Sequence, residues 1–155
     1  MNTYELLESE ACKDGIEVVN HNFRSNRIKG LYCNNVIAIN SSIETTTEKA
    51  CVLAEELGHY HTTVGDIVSM SDVQNRKQER QARLWAYNNR IGLYGLIRAY
   101  DHGCSNRYEV AEFLEVTEDF LEEAIECYRQ KYGVCKNVDN YTVYFIPQLA
   151  VCKRM

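Results

Sequence analysis

Positions 53–59 read Leu-Ala-Glu-Glu-Leu-Gly-His, which sets two adjacent carboxylates and an imidazole within about two turns of a segment with the marks of a helix. Thr45, Thr46 or Thr47 can cap that helix, and Glu48 sits where a first-turn acid favours the helix dipole. Ala50, Val52, Leu53 and Leu57 supply its apolar contacts. The helix is expected over residues 47–62, with Val64, Gly65 and Asp66 closing it.

Glu55, Glu56 and His59 have the spacing of the second half of an HExxH motif whose first histidine is a glutamate. Residues at i and i+4 share a helix face about one turn apart, so Glu55 and His59 can chelate one ion, and Glu56 takes the place of the general base that activates water. A carboxylate oxygen binds zinc at much the same distance as an imidazole nitrogen. Exchanging a neutral ligand for an anion lowers Lewis acidity and tilts preference from zinc toward harder ions such as manganese. A third ligand is expected from a second helix over residues 72–89, where Glu79 lies three positions before Ala82 and shares its side. Ala82, Trp85 and Ala86 form the inner face of that helix. His61 is two residues from His59 and points about 200° away from it, so it reads as a surface or supporting residue. Asp66 is a candidate to orient His59, and a helix-ending turn accounts for it equally well.

Ahead of this site, residues 3–12 form an expected short helix with Tyr4, Leu7 and Ala11 on one side. A strand over residues 16–23 follows, and residues 29–33 and 36–40 flank Asn34-Asn35, a pair able to take the left-handed angles of a two-residue hairpin turn. Beyond the site, residues 91–99, 108–114 and 118–132 read as helical, Thr117 as an N-cap and Gly133 as a stop, before a last strand over 141–146. The fold class expected is α+β: a small antiparallel sheet packed with helices in a zincin-like metallopeptidase core over residues 1–98, and a helical, acidic subdomain over 99–155.

Composition narrows the function. The chain of 155 residues carries a formal net charge of −5, and residues 109–126 hold eight acids without a Lys or Arg, so direct nucleic-acid binding is disfavoured and a protein-facing surface is expected. Seven cysteines, an odd number with no CxxC pair, and the want of a long apolar run or signal-like start point to reduced thiols in the cytoplasm, away from any membrane.

Three stretches together resemble the ImmA/IrrE metallopeptidases: 53–66 (LAEELGHYHTTVGD), 79–86 (ERQARLWA) and 108–133 (YEVAEFLEVTEDFLEEAIECYRQKYG). The resemblance implies a metal-dependent endopeptidase with Glu56 as base and His59 and Glu79 as metal ligands. Glu55 stands where the family has its first histidine. It also implies a protein substrate of the phage type, a helix-turn-helix repressor, and hence an antirepressor role. Two other readings stay open: a weak or inactive relative that only binds the repressor, and a structural domain without metal.

Overall fold

The structure, a computed structural model, describes residues 1–62 and 72–154, with the side chains of residues 72 and 73 left aside. The expected closing turn at Val64 to Asp66, and any role for Asp66, lie outside the described residues. Two compact units divide the chain, Met1–Ala86 and Tyr87–Met155. The division therefore falls inside a helix instead of at the expected 98/99 border, because the helix over residues 72–90 runs on past Trp85 without a breaker.

In the first unit, α1 (Thr3–Lys13) starts at a capping box: Asn2 accepts from the Glu5 amide at 2.8 Å, and Glu5 accepts from the Asn2 amide at 3.1 Å. The strands β1 (Glu17–His21), β2 (Gly30–Cys33) and β3 (Val36–Asn40) form one sheet in the order β1-β3-β2. The hairpin between β2 and β3 turns on Asn34 and Asn35, at φ 47° and 63°, the double left-handed geometry that asparagine tolerates. The sheet is not antiparallel throughout, since β1 pairs parallel to β3. The connection over residues 22–29 is too long for a tight turn, and it carries the chain past β3 before β2 begins.

The next helix, α2 (Thr46–Thr62), is capped by Thr45, whose Oγ1 accepts from the Glu48 amide at 3.1 Å. It buries Ala50, Cys51, Val52, Leu53, Ala54, Leu57 and Gly58, a band too wide for one face, because α1, β2 and β3 all pack against it. Leu53 and Leu57 are essentially sealed from solvent, and each contributes about 1.5–3 kcal/mol by burial. The first 15 residues of α3 (Asp72–Arg90) complete this unit, with Ala82 and Ala86 buried.

One polar residue lies at the centre of this half. Asn40 is fully buried, its Nδ2 donates to the Ile28 carbonyl at 2.8 Å and the Ser25 carbonyl at 3.4 Å, and its Oδ1 accepts from the Ser42 amide at 3.0 Å. It thereby fixes the otherwise irregular 22–29 connection to the end of β3. Asn40→Ala leaves those groups unpaired and is expected to cost about 1–3 kcal/mol, seen as a lower melting temperature together with faster proteolytic cutting within residues 22–29. Cutting there at the wild-type rate contradicts this role.

The second unit holds the end of α3, then α4 (Gly92–His102), α5 (Arg107–Leu114) and α6 (Glu118–Tyr132), followed by β4 (Cys135–Val138), β5 (Tyr141–Tyr144) and β6 (Ala150–Lys153). Asn106 and Thr117 cap α5 and α6, accepting from the amides of Glu109 and Phe120. The three strands form an antiparallel sheet, β4-β5-β6, so this half is a helix-and-sheet unit and not the helical subdomain expected from sequence. Its outer strands are four residues each, too short for alternation to register. Among the described residues, no helix is long and apolar enough to cross a membrane.

Candidate metal centre

Gly58 decides how close α2 and α3 come. A Cβ built on it would lie 2.2 Å from the Ala82 carbonyl oxygen, so the two backbones meet where any other residue would hold them apart. A glycine inside a helix costs roughly 1 kcal/mol relative to alanine, and close helix contact is what it permits here. The consequence sits one residue on. The His59 Nε2 is 2.9 Å from a carboxylate oxygen of Glu79, with the imidazole mostly covered and Glu79 about half exposed.

The electrostatics of the pair follow from that contact. Glu79 accepts a hydrogen bond from His59, which raises the imidazole pKa against the opposing effect of burial; the charges of Glu79, Glu56 and Glu55 raise it further. The same bond holds the Glu79 carboxyl below its usual range, assisted by the charges of His59 and Arg83 and opposed by burial. Glu56 shifts the other way: burial pushes its carboxyl up and the charge of Glu79 adds to this, while the charge of His59 and a backbone hydrogen bond from Tyr32 restrain it.

That Tyr32 amide is available because β2 is a sheet edge. The Asn40 amide donates to the Lys29 carbonyl, which makes residues 29 and 40 a hydrogen-bonded pair, and alternation turns the backbone polar groups of Gly30 and Tyr32 away from β3. The Tyr32 amide faces Glu56 and favours its charged form. Gly30 lies closer still: a Cβ there would meet Val52 at 2.7 Å and the Glu56 side chain at 3.1 Å. A cleft of about 430 Å³ runs along this edge, between residues 27–31 and the α2 side chains Val52, Glu55 and Glu56. Another cavity, about 470 Å³, lies in the second unit beside Leu96, Tyr100 and Val151, and no acid or histidine lines it.

The chemistry of the donors fits a divalent cation. Two ligands on one tetrahedral zinc stand about 3.3 Å apart, given bonds of about 2.0–2.1 Å, and His59 and Glu79 present nitrogen and oxygen at 2.9 Å. Glu55 lies one turn before His59, close enough for its charge to be felt there, and it lines the cleft with Glu56. Among the described residues, no three His, Cys, Asp or Glu side chains stand grouped to hold a metal, and the contact present is the pair of His59 with Glu79. His61 has different partners: its ring stacks on Trp85 at 4.5 Å and its Nε2 is 3.8 Å from Asp14. Trp85 is accordingly half-buried beside His61 and not a core residue.

Sequence reasoning did not single out Gly30, Tyr32, Asn40 or Gly58. A glycine between Leu57 and His59, mid-helix, was the one available signal; a strand-edge amide leaves none.

An α+β unit with a helix carrying Glu56 and His59, a second helix carrying Glu79 and an edge strand beside them defines a peptidase-like domain of the zincin type. The chain belongs to the IrrE N-terminal-like domain family of M78 peptidases, whose sequence profile matches residues 11–126. No curated protein and no solved structure matches it.

Proposed function

We propose that this protein is a metal-dependent endopeptidase of the cytoplasm that cleaves a phage-type helix-turn-helix repressor, with Glu56 as its base and Glu55, His59 and Glu79 as its metal ligands. One observation carries the reading: the Glu56 carboxylate is held between an open strand edge and the His59–Glu79 pair. What a cation held by the three ligands supplies, zinc or a harder ion such as manganese, is Lewis acidity toward a carbonyl oxygen and toward water. The chain's own groups do the rest. The outward backbone groups of Gly30 and the outward Tyr32 carbonyl pair with an extended substrate as an added strand. Glu56, its carboxylate aimed by the Tyr32 amide, takes a proton from the attacking water and passes it to the leaving amine. Its burial makes it a stronger base than an exposed glutamate and later a competent acid.

The repressor assignment draws on the second unit. Of the eight acids between Glu109 and Glu126, all but Glu109 are exposed, a surface complementary to a basic DNA-binding domain.

Protein purified without chelator is expected to carry about one divalent ion per chain, and His59→Ala to hold at least tenfold less, measured by elemental analysis. Chelation should stop repressor cleavage, and added zinc or manganese should restore it. A second reading, a repressor-binding relative without catalysis, is favoured by Glu55 in place of the usual histidine and by the ungrouped donors. Metal-free protein that binds the repressor with full affinity and never cleaves it establishes that reading instead.

A further inference from the structure

We infer that the cleft between β2 and α2 selects an extended peptide bearing an acidic side chain, seated against Arg27, beside the residue presented to Glu56. The inference rests on the peptidase reading for its setting but on separate observations for its content. The connection leading into β2 carries Arg24, Arg27 and Lys29 within six residues and no acid, in a chain whose net charge is −5. Arg27 and Lys29 line the cleft. Lys29 is already paired with Glu48 at 3.4 Å, whereas among the described residues neither Arg24 nor Arg27 forms an ion pair. Both are exposed.

This cationic lip is held in place, because Asn40 grips the carbonyls of Ser25 and Ile28 on either side of Arg27. A guanidinium without a partner, set on a fixed backbone at the mouth of a cleft, matches a planar carboxylate in both charge and shape. The opposite wall has the reverse sign, Glu55 and Glu56. A polyanion such as a nucleic acid, with charge at every step, would be repelled there, while a peptide can place one acid at the lip and a neutral residue beyond it. Ile28 lines the cleft and is largely exposed, which gives the neutral residue an apolar seat.

The test uses fluorescein-labelled peptides of a neutral, extended frame in which one Asp, Asn or Lys is moved along the sequence. Binding is read by anisotropy on the full chain carrying Glu56→Gln, and cleavage is read on the wild type. At one position Asp is expected to bind about five- to tenfold more tightly than Asn, with Lys weaker than both and the difference shrinking as salt is raised. Arg27→Gln should erase the difference and Arg27→Glu should reverse it in favour of Lys. Equal binding of Asp and Asn peptides, or a preference that survives Arg27→Gln, overturns the inference, as does a single-stranded oligonucleotide that displaces the Asp peptide with higher affinity. An Asp preference in binding with no cleavage by the wild type supports this inference and defeats the peptidase reading; cleavage indifferent to Asp does the opposite.

Discussion

Glu56→Gln is expected to lower peptide-bond cleavage by about 10²–10⁴-fold and, at the same time, to make the protein more stable at neutral pH. The first effect follows from removing the group proposed to move a proton at the cleft; the amide has the same shape and keeps a carbonyl oxygen for the Tyr32 amide. The second follows from the direction of the shift. Burial raises the Glu56 carboxyl above its ordinary value, so ionising it costs more in the folded chain than in the unfolded one. For such a group, the favourable contribution is present below the unfolded pKa and is lost as pH rises through the folded pKa. The wild type loses it as pH rises through the folded pKa, whereas the glutamine never carries the charge. The expected gain is about 1 kcal/mol, or roughly 2–4 °C in melting temperature, and it should shrink as pH falls toward and below the ordinary glutamate range. The neighbouring His59 charge offsets part of the cost, which keeps the gain small. Thermal unfolding at neutral and at acid pH and a timed cleavage assay check both halves. A variant as active as the wild type removes Glu56 from the mechanism.

Gly58→Ala is expected to be among the most damaging single-methyl additions in the first unit. The added carbon would meet the Ala82 carbonyl oxygen at 2.2 Å and its carbon at 2.9 Å, both backbone atoms that no rotamer change can move. Relief requires α3 to withdraw by more than about 1 Å, since ordinary contacts begin near 3.5 Å. Alanine's better helix propensity returns about 1 kcal/mol. The overpacking costs more, for a net loss of about 2–3 kcal/mol. The larger consequence is for the site, because a withdrawn α3 carries Glu79 away from His59. Metal content after purification should fall with the melting temperature. Full stability with full metal occupancy would show that α3 does not depend on this contact.

Much of this could be read from the residues themselves, and the failures have identifiable causes. Helix boundaries came through closely where caps were present: Thr117 and Gly133 bracket α6 as expected, and Asn34-Asn35 makes the expected turn. The α+β class and the family stand with them. Strand partners were less accessible. Nothing local in residues 17–21 says that they pair parallel to a strand reached only after two further segments, and the four-residue strands at the end of the chain are shorter than one cycle of reliable alternation. Within the candidate site, Glu56 and His59 stood out through the spacing of half an HExxH motif, and Glu79 through its place three residues before Ala82 and the family likeness. The parts that aim them were not: a backbone amide on an edge strand, a missing side chain at Gly30 and a buried amide at Asn40 become meaningful only once distant segments meet.

The exposed flank of β2 has a consequence for what the proposed enzyme can attack. The outward main-chain groups of Gly30 and the outward Tyr32 carbonyl call for a polypeptide whose own donors and acceptors are unspent. A well-ordered helix or inner strand offers none. Turnover of a native target would then follow how often that target locally unravels, and a ligand or a DNA site that tightens the target would shield it with no contact to the protease at all.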